Sequence, residues 1–153
     1  LRQNARKNLR QLFIDIQNGK THVTDQVKFD QWHQAACQQI SAIYKEYNHQ
    51  LFVGQTQKWL NMIFKYIFTL GENRLPGFGD VYQFCHVPLD NVLIDQLTKY
   101  GFPRLKCAWS RLNNYDEYLS HQLWIRQRFA PLAPLDVEFR LWLERDVDAI
   151  STI

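Results

Sequence analysis

At 153 residues, with 46% hydrophobic and 14% aromatic side chains, the chain is about one domain long and has enough large rings to fill a core. Only six Gly and five Pro punctuate it, which excludes a low-complexity or disordered chain and leaves room for long helices. Its 18 Lys and Arg against 15 Asp and Glu give a net charge of +3, a weak bias toward anionic partners that excludes neither nucleic acid nor protein.

The charge is uneven: Arg2, Arg6, Lys7 and Arg10 crowd the start without an acid among them, and Glu138, Glu144, Asp146 and Asp148 gather near the end. The basic start reads first as a solvated helix face and second as a phosphate contact. Cys37, Cys85 and Cys107 are odd in number and form no C-x-x-C pair, so no disulfide framework is expected and a reducing, cytoplasmic setting is. No signal peptide is recognisable, and no membrane segment is expected, because the longest apolar run, 59–70, is broken by Asn61 and Lys65.

In chain order, 2–17 predicts a first helix, with Leu9, Leu12, Phe13 and Ile16 on one face and Asn18-Gly19 as its stop. A second helix is expected over 29–47, with Phe29, Trp32, Ala36, Ile40, Ile43 and Tyr47 on one stripe. A third runs from about Gly54 to Leu70 and carries the wide apolar stripe of a central helix. The stretch 71–87 contains Gly71, Gly77, Gly79 and Pro76. It is expected to be irregular, a place for function, and the location of any short hairpin.

Pro88-Leu89-Asp90 opens a fourth helix with Asp90 as N-cap, followed by Val92, Leu93, Leu97 and Tyr100 and ended by Gly101-Phe102-Pro103. Residues 104–112 leave a short helix open. Asn113 or Asn114 caps a fifth helix whose first turn is acidic (Asp116, Glu117) and whose last turn is basic (Arg126, Arg128), as the helix dipole favours. Pro131 and Pro134 separate it from a last helix over about 135–147, with Phe139, Trp142 and Leu143 facing inward. The expected architecture is a single domain, 1–153, forming an all-α orthogonal bundle of about six helices. Its expected core is Phe13, Trp32, Ile40, Trp59, Ile63, Phe64, Ile67, Leu93, Leu97, Trp124, Phe139 and Trp142.

Several chemistries are excluded by spacing. There is no H-x-x-x-H, no C-x-x-C, no Walker loop and no G-x-S-x-G elbow, and Gly77-Phe78-Gly79 lacks the third Gly of a dinucleotide site. No metal and no cofactor are therefore expected. What remains is 51–58 (Leu-Phe-Val-Gly-Gln-Thr-Gln-Lys), then an apolar helix, then 86–90 (His-Val-Pro-Leu-Asp). A glycine before a helix turns the chain tightly and exposes amide donors where a phosphate can bind. Lys58, expected in the first turn, would sit at the helix's positive end in a partly apolar setting, which favours a neutral amine nucleophile. Asp90, at another helix start, could stabilise positive charge on a sugar. An amine and a carboxylate at two helix starts suit cleavage of an N-glycosidic bond through a Schiff base.

These residues resemble the core of the helix-hairpin-helix DNA glycosylases. There, a hairpin Gly precedes a catalytic Lys, and an apolar helix leads to a Pro-Val-Asp-like turn bearing the catalytic Asp. The separation of Lys58 and Asp90, 32 residues, is similar to that of the archaeal 8-oxoguanine glycosylase branch. The resemblance covers about residues 50–95 and departs at the second hairpin Gly, replaced here by Thr56. It implies Lys58 as nucleophile, Asp90 as catalytic carboxylate and Gly54 as hairpin glycine. The expected nucleic-acid contacts are Gly54, Gln55 and Gln57, with Trp109 flanked by Lys106 and Arg111 as a base-stacking group. DNA is the partner under this reading. The competing one is a non-enzymatic helical module that binds a protein or nucleic acid, for instance a bacterial accessory or defence protein, in which Lys58 is a solvated lysine and Asp90 an ordinary N-cap.

Overall fold

The computed structural model describes residues 1–143. The expected inward face of Leu143 can thus be tested, whereas the last expected turn, 144–147, lies outside the described residues. Among the described residues six α-helices follow one another: α1 (Arg2–Gln17), α2 (Gln26–Lys45), α3 (Val53–Leu70), α4 (Asn91–Thr98), α5 (Tyr115–Arg128) and α6 (Pro134–Trp142). Short 3-10 turns occupy Gly79–Phe84 and Trp109–Arg111. No strand occurs among the described residues, and the chain forms an all-α helical bundle. The hairpin allowed for within 71–87 is replaced by the first 3-10 turn. None of the described helices is long and apolar enough to cross a membrane.

Three helices, α2, α4 and α5, start on a capping side chain. Asp25 accepts from the Lys28 amide (2.8 Å) and so begins α2 three residues ahead of its apolar stripe. Asn114 accepts from the Glu117 amide (3.0 Å) and Asp90 from the Leu93 amide (2.9 Å). Gly71, at φ 82°, closes α3 in a conformation that a side chain would resist.

The apolar interior has two parts. Phe13, Phe29, Ile40, Leu60, Phe64 and Leu135 centre a cluster built from α1, α2, α3 and the start of α6. Leu89, Leu97, Leu112, Tyr118, Ile125 and Leu141 centre a second, built from α4, α5 and α6. Of the expected core, Phe13, Ile40, Phe64, Ile67, Leu93 and Leu97 are buried, and Trp32, Trp59, Ile63, Trp124 and Phe139 are half-buried. Trp142 departs from expectation: it is 63% exposed, and Leu143 is exposed beside it. The face that α6 buries carries Pro134, Val137, Glu138 and Leu141, so the stripe of Phe139 and Trp142 is rotated away toward α3.

Candidate functional site

Where the two apolar clusters meet, the interior is polar. Asp30 of α2 receives both terminal nitrogens of Arg126 (3.1 and 2.8 Å), His86 Nε2 (2.8 Å) and Gln26 Nε2 (2.9 Å). With Nε2 carrying the hydrogen, His86 Nδ1 accepts from the Tyr118 hydroxyl (2.8 Å), which in turn accepts from Asn61 Nδ2 (2.9 Å). Asn61 Oδ1 accepts from His33 Nε2 (3.0 Å), and the Tyr115 hydroxyl donates to the Asp30 carbonyl (3.0 Å) at 2.9 Å from His33 Nδ1. Burial pushes the His86 ring down to about 4, opposed in part by its bond to Asp30. Burial also lowers His33, so both rings are neutral at pH 7. Burial alone would raise the Asp30 carboxyl, but its bonds to His86 and Arg126 outweigh that and hold it well below the usual carboxylate range.

This network carries the extended segment 86–90. Gln122 of α5 accepts from the Val87 amide (3.1 Å) and donates to the Val87 carbonyl (2.9 Å). From the opposite helix, Gln57 accepts from the Leu89 amide (3.2 Å) and donates to the Leu89 carbonyl (2.9 Å), while Asn61 donates to the Val87 carbonyl (3.1 Å). The segment leaves this clamp at Asp90, whose two oxygens divide their duties. Oδ1 caps α4, and Oδ2 takes the ammonium of Lys58. Both side chains of that pair are less than a third exposed. The sequence pairing of Lys58 with Asp90 is thus a contact in space.

The pair sits on the rim of a cleft of about 570 Å³ between α3, α4 and α6. Two turns along α3, Lys65 faces the same cleft and pairs with Glu138 of α6. Phe139 and Trp142 complete the wall, with the Lys65 ammonium 4.3 Å from the Trp142 ring. Glu138 is almost fully buried, and its Oε2 has no hydrogen-bond partner among the described residues. Burial raises its carboxyl above the usual range against the opposing pull of Lys65. Tyr66 and Val92 expose apolar surface at the mouth.

The other expected contacts are distributed differently. Gly54 is buried within the first turn of α3 rather than in an open turn, and its amide donates to the Leu112 carbonyl (2.9 Å), so it offers no donor to a phosphate. Its role is steric: a Cβ there would stand 1.7 Å from the Trp109 carbonyl oxygen, so only glycine lets the 109–111 turn close over the start of α3. Lys58 consequently lies in the second turn of the helix, one turn later than expected. Gln57 is fully buried with its amide spent on Gly54, Leu89 and Asn61, which removes it from any nucleic-acid surface. Gln55 turns back to accept from the Phe52 amide (3.0 Å) as part of the helix start.

Trp109 is half-buried with its ring 5.5 Å from the Lys58 ammonium. Lys106 and Arg111 are exposed, and Arg111 lies over Phe52 (5.2 Å). The three cysteines are free, Cys107 exposed and the others buried. No group of three His, Cys, Asp or Glu side chains is placed to hold a metal among the described residues. Sequence reasoning missed Lys65, Glu138, Asn61 and the Asp30–His86–Arg126 group. A signal for two of them existed, since Asn61 and Lys65 interrupt the apolar face of α3. No family model, no curated protein and no solved structure matches this chain.

Proposed function

We propose that this chain binds nucleic acid and removes a base by attack of Lys58 on the sugar, with Asp90 as its carboxylate partner. One observation carries the reading: Lys58 and Asp90, far apart in sequence, meet on the rim of a cleft walled by Phe139 and Trp142. The cleft's volume falls within the roughly 300–1,000 Å³ of small-molecule sites, and its aromatic wall suits an extruded base. Lys65, whose ammonium pairs with Glu138 and faces the Trp142 ring, adds a donor for a base edge. Lys106 and Arg111 are exposed cations available to phosphates, and the half-buried Trp109 is the expected stacking group near the amine.

The chemistry follows from the groups present. Nζ must first lose a proton, and Asp90 Oδ2 is the acceptor in contact with it. The free amine forms a bond to C1′ as the glycosidic bond breaks, and the bonding pair leaves with the base, which takes the proton that Asp90 received and returns Asp90 to its carboxylate form. Loss of a second amine proton lets the nitrogen lone pair expel O4′, which is protonated as the ring opens. A protonated Schiff base between Nζ and C1′ results. Asp90, held by the α4 cap, stabilises the positive charge on the sugar and then on the imine.

The test is incubation with duplexes carrying damaged or deaminated bases in the presence of borohydride, which reduces the imine to a stable amine. Covalent capture is expected for the parent, and its loss in Lys58→Gln with duplex affinity changed less than about threefold. Absence of capture across the duplexes rejects the enzyme reading. The exposed Tyr66, Val92, Trp142 and Leu143 around the cleft would then favour the second reading, a helical module that docks a protein through this apolar rim.

A further inference from the structure

We infer that Gln57 is a positioning residue whose side-chain amide sets the register between α3 and the segment 86–90, and thereby places Asp90 Oδ2 against Lys58. Gln57 addresses both backbone groups of a single residue, accepting from the Leu89 amide (3.2 Å) and donating to the Leu89 carbonyl (2.9 Å). An adjacent β-strand would make the same two bonds to the segment, but no strand is present among the described residues and a side chain takes its place. Gln57 immediately precedes Lys58, and Leu89 immediately precedes Asp90, so this pairing aligns the next two side chains across the gap.

The alternatives at this point of the chain are few. Pro88 offers no N–H, so the amides flanking it, on Val87 and Leu89, are the only ones by which the turn can be held. Val87 is taken by Gln122 from the other side and fixes the segment's distance from α5. Asn61 of α3 also donates to the Val87 carbonyl (3.1 Å), but Leu89, the neighbour of Asp90, is bonded by Gln57, the neighbour of Lys58. Gln57 is itself locked: Nε2 also donates to the Gly54 carbonyl (2.9 Å), and Oε1 also accepts from Asn61 (3.0 Å). A one-residue slip of the segment would leave these buried polar groups unpaired and carry Asp90 away from the amine.

The catalytic consequence rests on the base-excision reading, whereas the placement of Asp90 does not, and the experiment separates the two. A double-mutant cycle on stability, Lys58→Met with Asp90→Asn, measures the coupling of the pair. Repeated in a Gln57→Met background, it should return less than half of the coupling found in the parent. Unchanged coupling overturns the proposal, whether or not the chain is an enzyme. Should Gln57→Met fail to fold, Gln57→Asn, too short by one methylene to reach Leu89, serves in its place with the same expectation.

Where the parent forms the borohydride-trapped adduct, single-turnover trapping adds a readout that a purely structural role would not move. Gln57→Met should lower the rate constant at least tenfold with duplex affinity within about twofold. A reduced amplitude at an unchanged rate constant would mark Gln57 as structural only and overturn its positioning role. Failure of the parent to trap rejects the base-excision reading alone, and the coupling measurement still decides the placement of Asp90.

Discussion

Two sets of charges in this molecule are treated in opposite ways. Asp30 lies inside, gripped by Arg126 and His86, with both oxygens engaged. Lys58–Asp90 and Lys65–Glu138 line a cleft, and Glu138 retains an oxygen with no partner among the described residues. A buried polar network makes a packing seam specific, because removing one member leaves the others unpaired; here only Arg126 Nε lacks a partner within the group among the described residues. Lys58–Asp90, 29% and 21% exposed, is worth little to stability and stays open to a ligand, whereas Lys65–Glu138, 11% and 6% exposed, is as enclosed as the Asp30 group. The contrast separates groups that hold the site together from groups that face what enters it.

The sharpest way to break this comparison is to remove one member of each set. Asp30→Ala leaves Arg126 and His86 without their acceptor and should cost about 3–5 kcal/mol, read as a large fall in the thermal midpoint. Lys58→Gln should cost less than about 1 kcal/mol in the same assay. Equal losses would mean that the cleft pair is also structural.

Acid should find the sealed network first. His86 has a folded pKa of about 4 against an ordinary 6.5, so the unfolded chain takes up the proton before the folded one as pH falls. The stability linked to His86 is complete above about pH 6.5 and is lost as pH falls toward 4, by about 3 kcal/mol at most. His33 and His121, both lowered by burial, act in the same direction. Asp30, held low in the folded state, extends the loss below the unfolded carboxylate range. Denaturant unfolding between pH 7 and 4 should show this decline, and a flat profile would contradict the neutral-histidine network.

The smallest effect on stability sharpens the comparison from the other side. Trp142→Ala removes a mostly exposed ring and should change stability by no more than about 1 kcal/mol. Under the base-excision reading it should weaken binding to a duplex with an unstacked or damaged base by about tenfold, the lower part of the range for base stacking on an aromatic ring. Fluorescence anisotropy with matched and damaged duplexes provides the measurement.

Much of the fold was legible in the residues. The apolar spacing of Leu9, Leu12, Phe13 and Ile16 marks α1 along its length, and the caps at Asp90 and Asn114 start α4 and α5 where local chemistry says they should. Lys58 and Asp90 could be singled out as well, because each sits beside a helix-start signal. Trp142 could not be placed, since an aromatic on α6 fits either of two adjacent stripes and only the neighbouring helices decide which one is covered. Gln57 read as a surface amide for the same reason: periodicity locates a face but does not say what lies against it.

The sequence by itself determined the helices, their caps and the residue types available for chemistry, all of which depend on neighbours within one or two turns. Tertiary structure alone decided that Gly54 is a packing contact with the Trp109 carbonyl, that Gln57 reads the Leu89 backbone, and that Lys65 and Glu138 share a cleft. The physical reason is range. Capping and hydrophobic periodicity act over a few residues, whereas these contacts join residues 32 to 73 positions apart in the cases of Gln57–Leu89 and Lys65–Glu138, and exist only once separate helices have packed.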